Sequence, residues 1–296
     1  MTKDIQLIHL YCIVCHHYST RLIYDAQRCS NNFCPKFSDE ECLTIALWGI
    51  TNQKFELQTA YDFIKDYYAE WFPQLPEYKA FNKRICYLSE AFKTLASMLL
   101  GELGGDYEEV LHLIDSMPVV VAKQKRMRRA KAASEICDIG YCDSKKMYYY
   151  GVKLHALGQR QYQTLPMPRQ MMLTPASPND LTVGKAMTED VYGIALFGDK
   201  AYKDRAWEAY MLAHNGLEVY TPVKLEKGQK YLDSADSLFS SAVSRVRQPI
   251  ESFFNWLQQK THMEIASKVR SYNGLISFIF SRIAVACLIL MNIVIA

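Results

Sequence analysis

The chain has 296 residues, of which 50% are hydrophobic and 22% are charged, the ordinary composition of a globular protein that buries a core. Nine cysteines in a chain of this length do not indicate a disulfide scaffold. The net charge of +3 is only mildly basic, so a nucleic-acid partner has to be inferred from local clusters of basic residues rather than from the total.

The N-terminal stretch MTKDIQLIHLYCIVCHHYS lacks a long apolar run and a small-residue cleavage site. We therefore expect no signal peptide and a reducing, cytoplasmic compartment, in which thiols are free or bound to metal. Two cysteine pairs have spacings that zinc sites permit, although buried thiols on a helix are the favoured interpretation. The residues concerned are Cys12, Cys15, His16, His17, Cys29 and Cys34.

The first third of the chain shows helical periodicity. Residues 37–52 begin with a capping box, Ser38 followed by Glu41, and continue with an apolar pattern. Residues 59–72 and 81–103 have the same period and are separated by a proline-containing break.

A change of pattern follows the glycines at positions 101, 104 and 105. We therefore predict an all-helical N-terminal region at residues 1–105 and a catalytic domain at residues 106–296 that includes C-terminal helices.

The second part of the chain alternates between strands and helices, which predicts a mixed α/β domain flanked by helices. Asn179 caps the first helix between strands, Asn215-Gly216 ends the second, and the chain is helical again from Arg247 onward. The predicted strands are 110–122, 146–158, 169–176, 194–202 and 217–223.

The C-terminal residues 275–296 are very apolar. Arg282 interrupts them and only fourteen residues follow it, whereas a membrane span needs about 20 apolar residues. A buried terminal helix is the favoured interpretation, and a membrane anchor is the alternative.

Three acidic residues stand out by position. Asp115 lies inside the apolar strand VLHLIDSMPVVVA, where a carboxylate is costly unless a cation satisfies it. Asp199 lies at the end of a later strand, the place where open α/β folds bind ligands. Glu251 lies on a polar stripe of a helix whose apolar stripe would pack on the sheet. Three carboxylates suit a pair of Mg²⁺ ions, which can stabilise an in-line phosphoryl transfer.

A run of basic residues follows Asp115 in KQKRMRRAK. Charge runs are usually solvated, but beside a metal site we expect this one to contact the DNA backbone, with Lys145 and Lys146 extending the surface. The predicted DNA-binding residues of the run are Lys123, Lys125, Arg126, Arg128, Arg129 and Lys131.

The order IDSMPV, LFGDKAY and RQPIESFFNWL resembles the DDE transposases of bacterial insertion sequences, and among them the insertion-sequence 982 type. The stretches FSDEECLTIALWG, FPQLPEYKAFNKR and GYCDSKKMYYYGVKLHAL add to the resemblance, which covers the chain from about Phe37 to its end. It implies a ribonuclease-H-like mixed sheet core with flanking helices, preceded by an all-helical region. It also implies that Asp115, Asp199 and Glu251 are the catalytic, metal-binding triad.

The wider group of these enzymes carries a Tyr, Arg and Lys signature around the glutamate. Arg247 matches it, whereas Ser244 stands at the tyrosine position and Gln258 at the lysine position. We expect Arg247 to contact DNA, and Gln258 to do so without a charge.

Lys200, Tyr202 and His155 are further candidates. Lys200 and Tyr202 follow Asp199 directly and could touch DNA. His155 could lie near the site, although a structural strand histidine is the favoured interpretation.

The predicted function is that of a Mg²⁺-dependent transposase with two ions per site, for which Mn²⁺ would substitute. It would cut double-stranded DNA at the element's terminal inverted repeats and join the 3′-hydroxyls to target DNA, acting as a homodimer or a larger synaptic complex in the bacterial cytoplasm at the nucleoid. The resemblance implies that the N-terminal helices help to bind the DNA ends, with dimerisation as the competing role. Alternatives are a stand-alone metal-dependent nuclease and a catalytically degenerate DNA-binding protein.

Overall fold

The fold comes from a computed structural model that describes residues 2–28, 35–103, 110–225 and 228–294. Going along the chain, the described helices are α1 (Lys3–Thr20), α2 (Asp39–Thr51), α3 (Leu57–Tyr67), α4 (Tyr78–Tyr87), α5 (Ser89–Leu103), α6 (Asp180–Thr188), α7 (Arg205–Asn215), α8 (Ser234–Thr261) and α9 (Tyr272–Leu290). The described strands are β1 (Leu111–Lys123), β2 (Asp138–Cys142), β3 (Met147–Gln159), β4 (Met167–Pro175), β5 (Ala195–Phe197) and β6 (Glu218–Tyr220).

The chain divides into two compact units. One, the helical unit, comprises Met1–Leu103, Lys131–Glu135 and Leu257–Ala296. The other, the sheet unit, comprises Gly104–Ala130 and Ile136–Trp256. One boundary between the units, between Leu103 and Gly104, lies close to the predicted one at residues 105 and 106. The C-terminal residues from Leu257 differ from the prediction, because they pack with the N-terminal helices and not with the sheet unit.

The helical unit begins its second helix as the sequence predicts. The Ser38 side chain accepts a hydrogen bond from the Glu41 N–H, and the Glu41 carboxylate accepts one from the Ser38 N–H over 2.6 Å. The predicted helix at 81–103 is two helices, α4 and α5, separated at Leu88. Apolar periodicity reports which residues face a core, but not whether the helix axis changes direction between them.

By length and composition, helix α9 could cross a membrane. However, 67% of an apolar 18-residue stretch of this helix is buried inside the protein. It packs against α5, and the Ser277 hydroxyl donates to the Ile85 carbonyl over 2.9 Å. The Arg282 guanidinium is also buried and donates to the Phe55 carbonyl over 2.6 Å. The favoured interpretation of a buried terminal helix agrees with this packing.

In the sheet unit, the described strands form one mixed sheet in the order β2-β3-β1-β5-β6, with β4 also paired to β3. Strand β1 is antiparallel to β3 and parallel to β5. Strand β2 was not predicted, because its five residues DIGYC include Asp and Gly, which are poor strand formers. The predicted strands at 194–202 and 217–223 shorten to three residues each.

Helices cover the sheet and complete its core. On one face, α6 and α7 bury Val183 and Trp207 with Ile114 of β1 in a hydrophobic cluster. Helix α8 begins at Ser234, well before the predicted helical start at Arg247, and continues through Pro249. The result is the predicted mixed α/β architecture, consistent with a ribonuclease-H-like core that follows a helical N-terminal region.

Candidate active site

The two predicted catalytic aspartates lie on or directly after two neighbouring strands. Asp115 lies within β1, and the parallel register sets Leu113 of β1 opposite Phe197 of β5. Two residues further along, Asp115 and Asp199 therefore lie at the same level. Because paired strands are about 4.8 Å apart, this register brings the two backbone positions close together.

A backbone N–H group fixes each of these aspartates. The Ser116 N–H donates to Asp115 Oδ1 over 2.8 Å, and the Ala201 N–H donates to Asp199 Oδ1 over 2.7 Å. The second bond caps the short 3-10 turn that follows β5. In both residues Oδ2 is the oxygen that takes no part in this backbone hydrogen bond.

Helix α8 carries the third acid, Glu251, and the arginine Arg247, which links that acid to Asp115. Arg247 Nη1 donates to Asp115 Oδ2 over 2.9 Å, and Arg247 Nη2 donates to the Glu251 carboxylate. The Arg247 side chain is 16% exposed, that of Asp115 20% and that of Glu251 51%. The guanidinium is therefore largely enclosed, while the glutamate faces solvent.

Electrostatic effects link Asp115 to each of the other two carboxylates. Burial raises the pKa of Asp115 to about 7; the Arg247 charge and the Ser116 N–H oppose this rise, and the charges of Asp199 and Glu251 add to it. Burial also raises the pKa of Asp199, against the effects of the Ala201 N–H and of Arg247. Such coupling requires short distances, since solvent screens charges that are far apart.

The chemistry of the donors suits a divalent cation. Carboxylate oxygens are the ligands that Mg²⁺ prefers, and the three acids carry more negative charge than Arg247 balances. Within the described ranges, no group of three His, Cys, Asp or Glu side chains is arranged to hold a metal ion. Arg247 contacts both Asp115 and Glu251, so a cation bound by these acids would have to displace it.

The sheet unit, together with some residues of the helical unit, matches a known family. A family model described as "Transposase DDE domain" matches residues 105–271, more than half of the chain, and Asp115, Asp199 and Glu251 all lie in the matched range. The chain belongs to the DDE transposases. It is thus an enzyme of the polynucleotidyl-transferase type with DNA as a partner. A comparison with curated proteins gives no match.

The transposase has a fourth acid beside the site that sequence reasoning missed. Asp180, at the start of α6, accepts from the Ser116 hydroxyl over 3.2 Å and from Lys153 Nζ over 3.0 Å. Its charge contributes to the raised pKa of Asp199. Ser116 follows Asp115 on β1, so its side chain points to the opposite face of the sheet. Only the position of Asp180 after the helix cap Asn179 could have drawn attention to it.

His155 belongs to this neighbouring cluster. It pairs with Ser116 in the β1–β3 register, is fully buried, and lies 2.9 Å from the Thr174 hydroxyl through Nε2. Burial and the Lys153 charge lower its pKa to about 4, although Asp180 opposes this. The imidazole is therefore neutral at pH 7, as a structural strand histidine would be.

The residues that follow Asp199 differ in exposure. Lys200 is exposed, whereas Tyr202 is 1% exposed within the hydrophobic cluster. The expectation that Tyr202 touches DNA was wrong, because the turn after Asp199 directs its ring into the core. Lys224, which follows β6 and was not predicted, is exposed and its charge lowers the pKa of Asp199.

The basic run begins at Lys123, the last residue of β1. Residues Lys123 to Arg129 are exposed apart from Met127, which is half-buried, and Lys131, also exposed, falls in the helical unit. The run is eight residues beyond Asp115, or about 25 Å at about 3.3 Å per residue. It therefore lies too far along β1 to meet the same phosphate as the acids, and its contact with DNA stays a prediction.

Two predictions concern the helical unit. The Gln258 side-chain oxygen accepts the Glu264 N–H over 2.7 Å, so its contact with DNA stays a prediction. Cys12 is exposed and Cys15 half-buried on α1, which differs from the expected buried thiols. Cys29 and Cys34 lie outside the described residues, so the zinc interpretation stays open.

Proposed function

We propose that this DDE transposase cleaves phosphodiesters at the ends of its own insertion sequence and joins the freed 3′-hydroxyls to target DNA. The β1–β5 register, which sets Asp115 beside Asp199, and the shared contact of Asp115 and Glu251 with Arg247 support the proposal. The resemblance described above supports a bacterial element of the insertion-sequence 982 type.

The reaction consists of two similar displacements. In the first, a water oxygen attacks the phosphorus at the element end, and the bond to the 3′-oxygen breaks to leave a 3′-hydroxyl. In the second, that hydroxyl attacks a target phosphodiester and displaces its 3′-oxygen. Both steps are in-line displacements, so one site can serve both.

The three acids are proposed to hold two Mg²⁺ ions, for which Mn²⁺ would substitute. Bound there, the cations would stabilise the attacking and the leaving oxygen. Asp115 and Asp199 supply fixed oxygens, since a backbone N–H orients each carboxylate. Arg247, once released from the acids, would pair with a DNA phosphate, as Lys200 and Lys224 would beside Asp199.

The partner is proposed to be double-stranded DNA, bound as terminal repeats and as target. Two ends have to be brought together before joining, which favours a homodimer or a larger synaptic complex. The helices of residues 1–105 are proposed to contribute DNA-end binding or dimerisation, and the protein to act in the cytoplasm at the nucleoid.

Replacing each acid by its amide tests the proposed site. Asp115→Asn, Asp199→Asn and Glu251→Gln should each lower Mg²⁺-dependent cleavage of an end-containing duplex by about 10²–10³-fold, because each loses a charge worth several kcal/mol to the transition state. Rates are measured on labelled oligonucleotides, with circular dichroism to verify folding.

Asp190→Asn is the matched control, since Asp190 is an exposed acid of the same unit. Unchanged cleavage by Asp115→Asn would refute the triad assignment. A strand-transfer assay separates the rivals: cleavage without joined product indicates a nuclease, and DNA binding without cleavage indicates a degenerate protein.

A further inference from the structure

The end of the sheet that lies away from the acids carries a concentration of positive charge. Lys123 of β1 lies opposite Tyr149 of β3, so the basic run after β1 and the β2–β3 turn project from the same end of the sheet. The short turn Met127–Arg129 also contacts β3. We name this surface the distal basic end; its bases are Lys123, Lys125, Arg126, Arg128, Arg129, Lys145 and Lys146, all exposed.

The charge of this surface is strongly one-sided. Residues 123–130 and 138–148 contain these seven bases and two acids, Asp138 and Asp143. Like charges at such density repel one another unless an anionic partner is bound. A DNA backbone, with one negative charge per about 1.7 Å of duplex axis, is such a partner.

An exposed pair of aromatic residues lies beside these bases. Tyr141 of β2 pairs with Tyr148 of β3; their ring centroids are 4.9 Å apart and the residues are 44% and 49% exposed. Strand alternation puts Tyr148 on the same face of β3 as Ala156, the partner of Asp115. Tyrosine hydroxyls are common donors to DNA phosphates, so this pair would add contacts on the side of the sheet that bears the acid.

We propose that the distal basic end and the Tyr141–Tyr148 pair form a second DNA contact, separate from the catalytic acids, that grips the duplex backbone. The separation of about 25 Å along β1 corresponds to about seven base pairs at 3.4 Å each. The contact rests on the proposed function for its biological role. It carries no sequence information, because backbone contacts set position rather than base identity.

The salt dependence of DNA binding tests the contact without any cleavage. The probe is a labelled 24-base-pair duplex of mixed sequence, titrated with the full chain in EDTA at several salt concentrations. Lys125→Gln/Lys146→Gln should reduce the slope of log affinity against log salt by about 1.8, because each lost phosphate contact removes about 0.9. Arg205→Gln/Lys230→Gln removes the same charge from exposed positions of the same unit and should leave the slope unchanged.

The proposal is overturned if the Lys125/Lys146 variant keeps the wild-type slope, or if both double variants lose slope equally. Phosphate ethylation of an end-containing duplex then locates the contact: interference about seven base pairs from the cut should occur with the wild type and vanish with the variant. Failure of the proposed function alone gives a different result. The slopes of the wild type and of the two double variants then differ as expected for the contact, but the wild type shows no Mg²⁺-dependent cleavage.

Discussion

At the scale of single residues, Arg247 connects two of the three acids. It donates to Asp115 Oδ2 and to the Glu251 carboxylate, and it is the only base that these two carboxylates contact in the part of the chain that the structure describes. A cationic side chain thus occupies the place where the proposed function requires divalent ions. The consequence is a competition between Arg247 and metal for the same oxygens.

Removing this arginine should strengthen metal binding. Hydrogen bonds to charged groups contribute about 1.5–3 kcal/mol, and a metal ion that no longer displaces them should bind about tenfold more tightly or better. Arg247→Gln should therefore lower the Kd for Mn²⁺, measured by electron paramagnetic resonance without DNA.

Arg245→Gln serves as the comparison, because Arg245 is an exposed arginine on the same helix. Weaker or unchanged Mn²⁺ binding by Arg247→Gln would show that Arg247 does not compete with the metal. DNA affinity is measured separately, since the same substitution should weaken the contact with phosphate.

At the scale of elements, one buried carboxylate joins three helices of the helical unit. Asp39, in the first turn of α2, accepts from Arg84 Nε of α4 over 2.6 Å and from Arg28 over 2.7 Å, and Tyr18 of α1 donates to it over 3.1 Å. Burial acts to raise the pKa of Asp39, but the hydrogen bonds and charges of Arg84 and Arg28 outweigh it and lower the pKa. The ionised form is therefore the one that the fold stabilises.

Neutralising Asp39 should destabilise this unit. Asp39→Asn leaves two arginines without a buried counter-charge, and breaking such a pair typically costs about 3–5 kcal/mol. The lower pKa of the folded state means that this stability is present above the ordinary pKa of about 3.9 and is lost as the pH falls through the folded value.

Thermal unfolding followed by circular dichroism measures both effects. The midpoint of Asp39→Asn should be well below that of the wild type at pH 7, and the difference should shrink below about pH 4. Asp66→Asn, at an exposed position on α3, should behave like the wild type throughout. A difference that persists at low pH would contradict the electrostatic explanation.

At the scale of the whole molecule, the apolar end of the chain belongs to the interior of the helical unit. Arg282, within α9, is 4% exposed and donates to the carbonyls of Phe55 and Phe278. A helix with such polar anchors inside a protein has little apolar surface to offer a bilayer. The full chain should therefore enter the aqueous phase on detergent phase separation, and recovery in the detergent phase would show that α9 leaves the unit.

The sequence predicted the parts of this molecule that depend on local pattern. The capping box of α2, the long strands β1 and β3, the place of Asp115 inside a strand and that of Asp199 at a strand end follow from periodicity and residue type. The packing of α9 with α5 and the approach of Asp180 to Ser116 could not be predicted, because these contacts join residues that are distant along the chain. Strand β2 was missed because its pairing with β3, rather than its own propensity, makes it a strand.

The two aspartates and the glutamate differ in how firmly they are held. A main-chain amide anchors Asp115 and Asp199, so each presents one oxygen in a direction fixed before any substrate arrives. Glu251 has no main-chain anchor among its described contacts; its carboxylate is held by the Arg247 side chain at a solvent-facing helix position. Replacing either aspartate by glutamate, which is longer by one methylene, would keep the charge but move the carboxylate away from the main-chain amide that holds it. Replacing Glu251 by aspartate would only shorten the reach of its carboxylate. Of the three acids, Glu251 is therefore the one whose carboxylate can change position without breaking a hydrogen bond to the main chain.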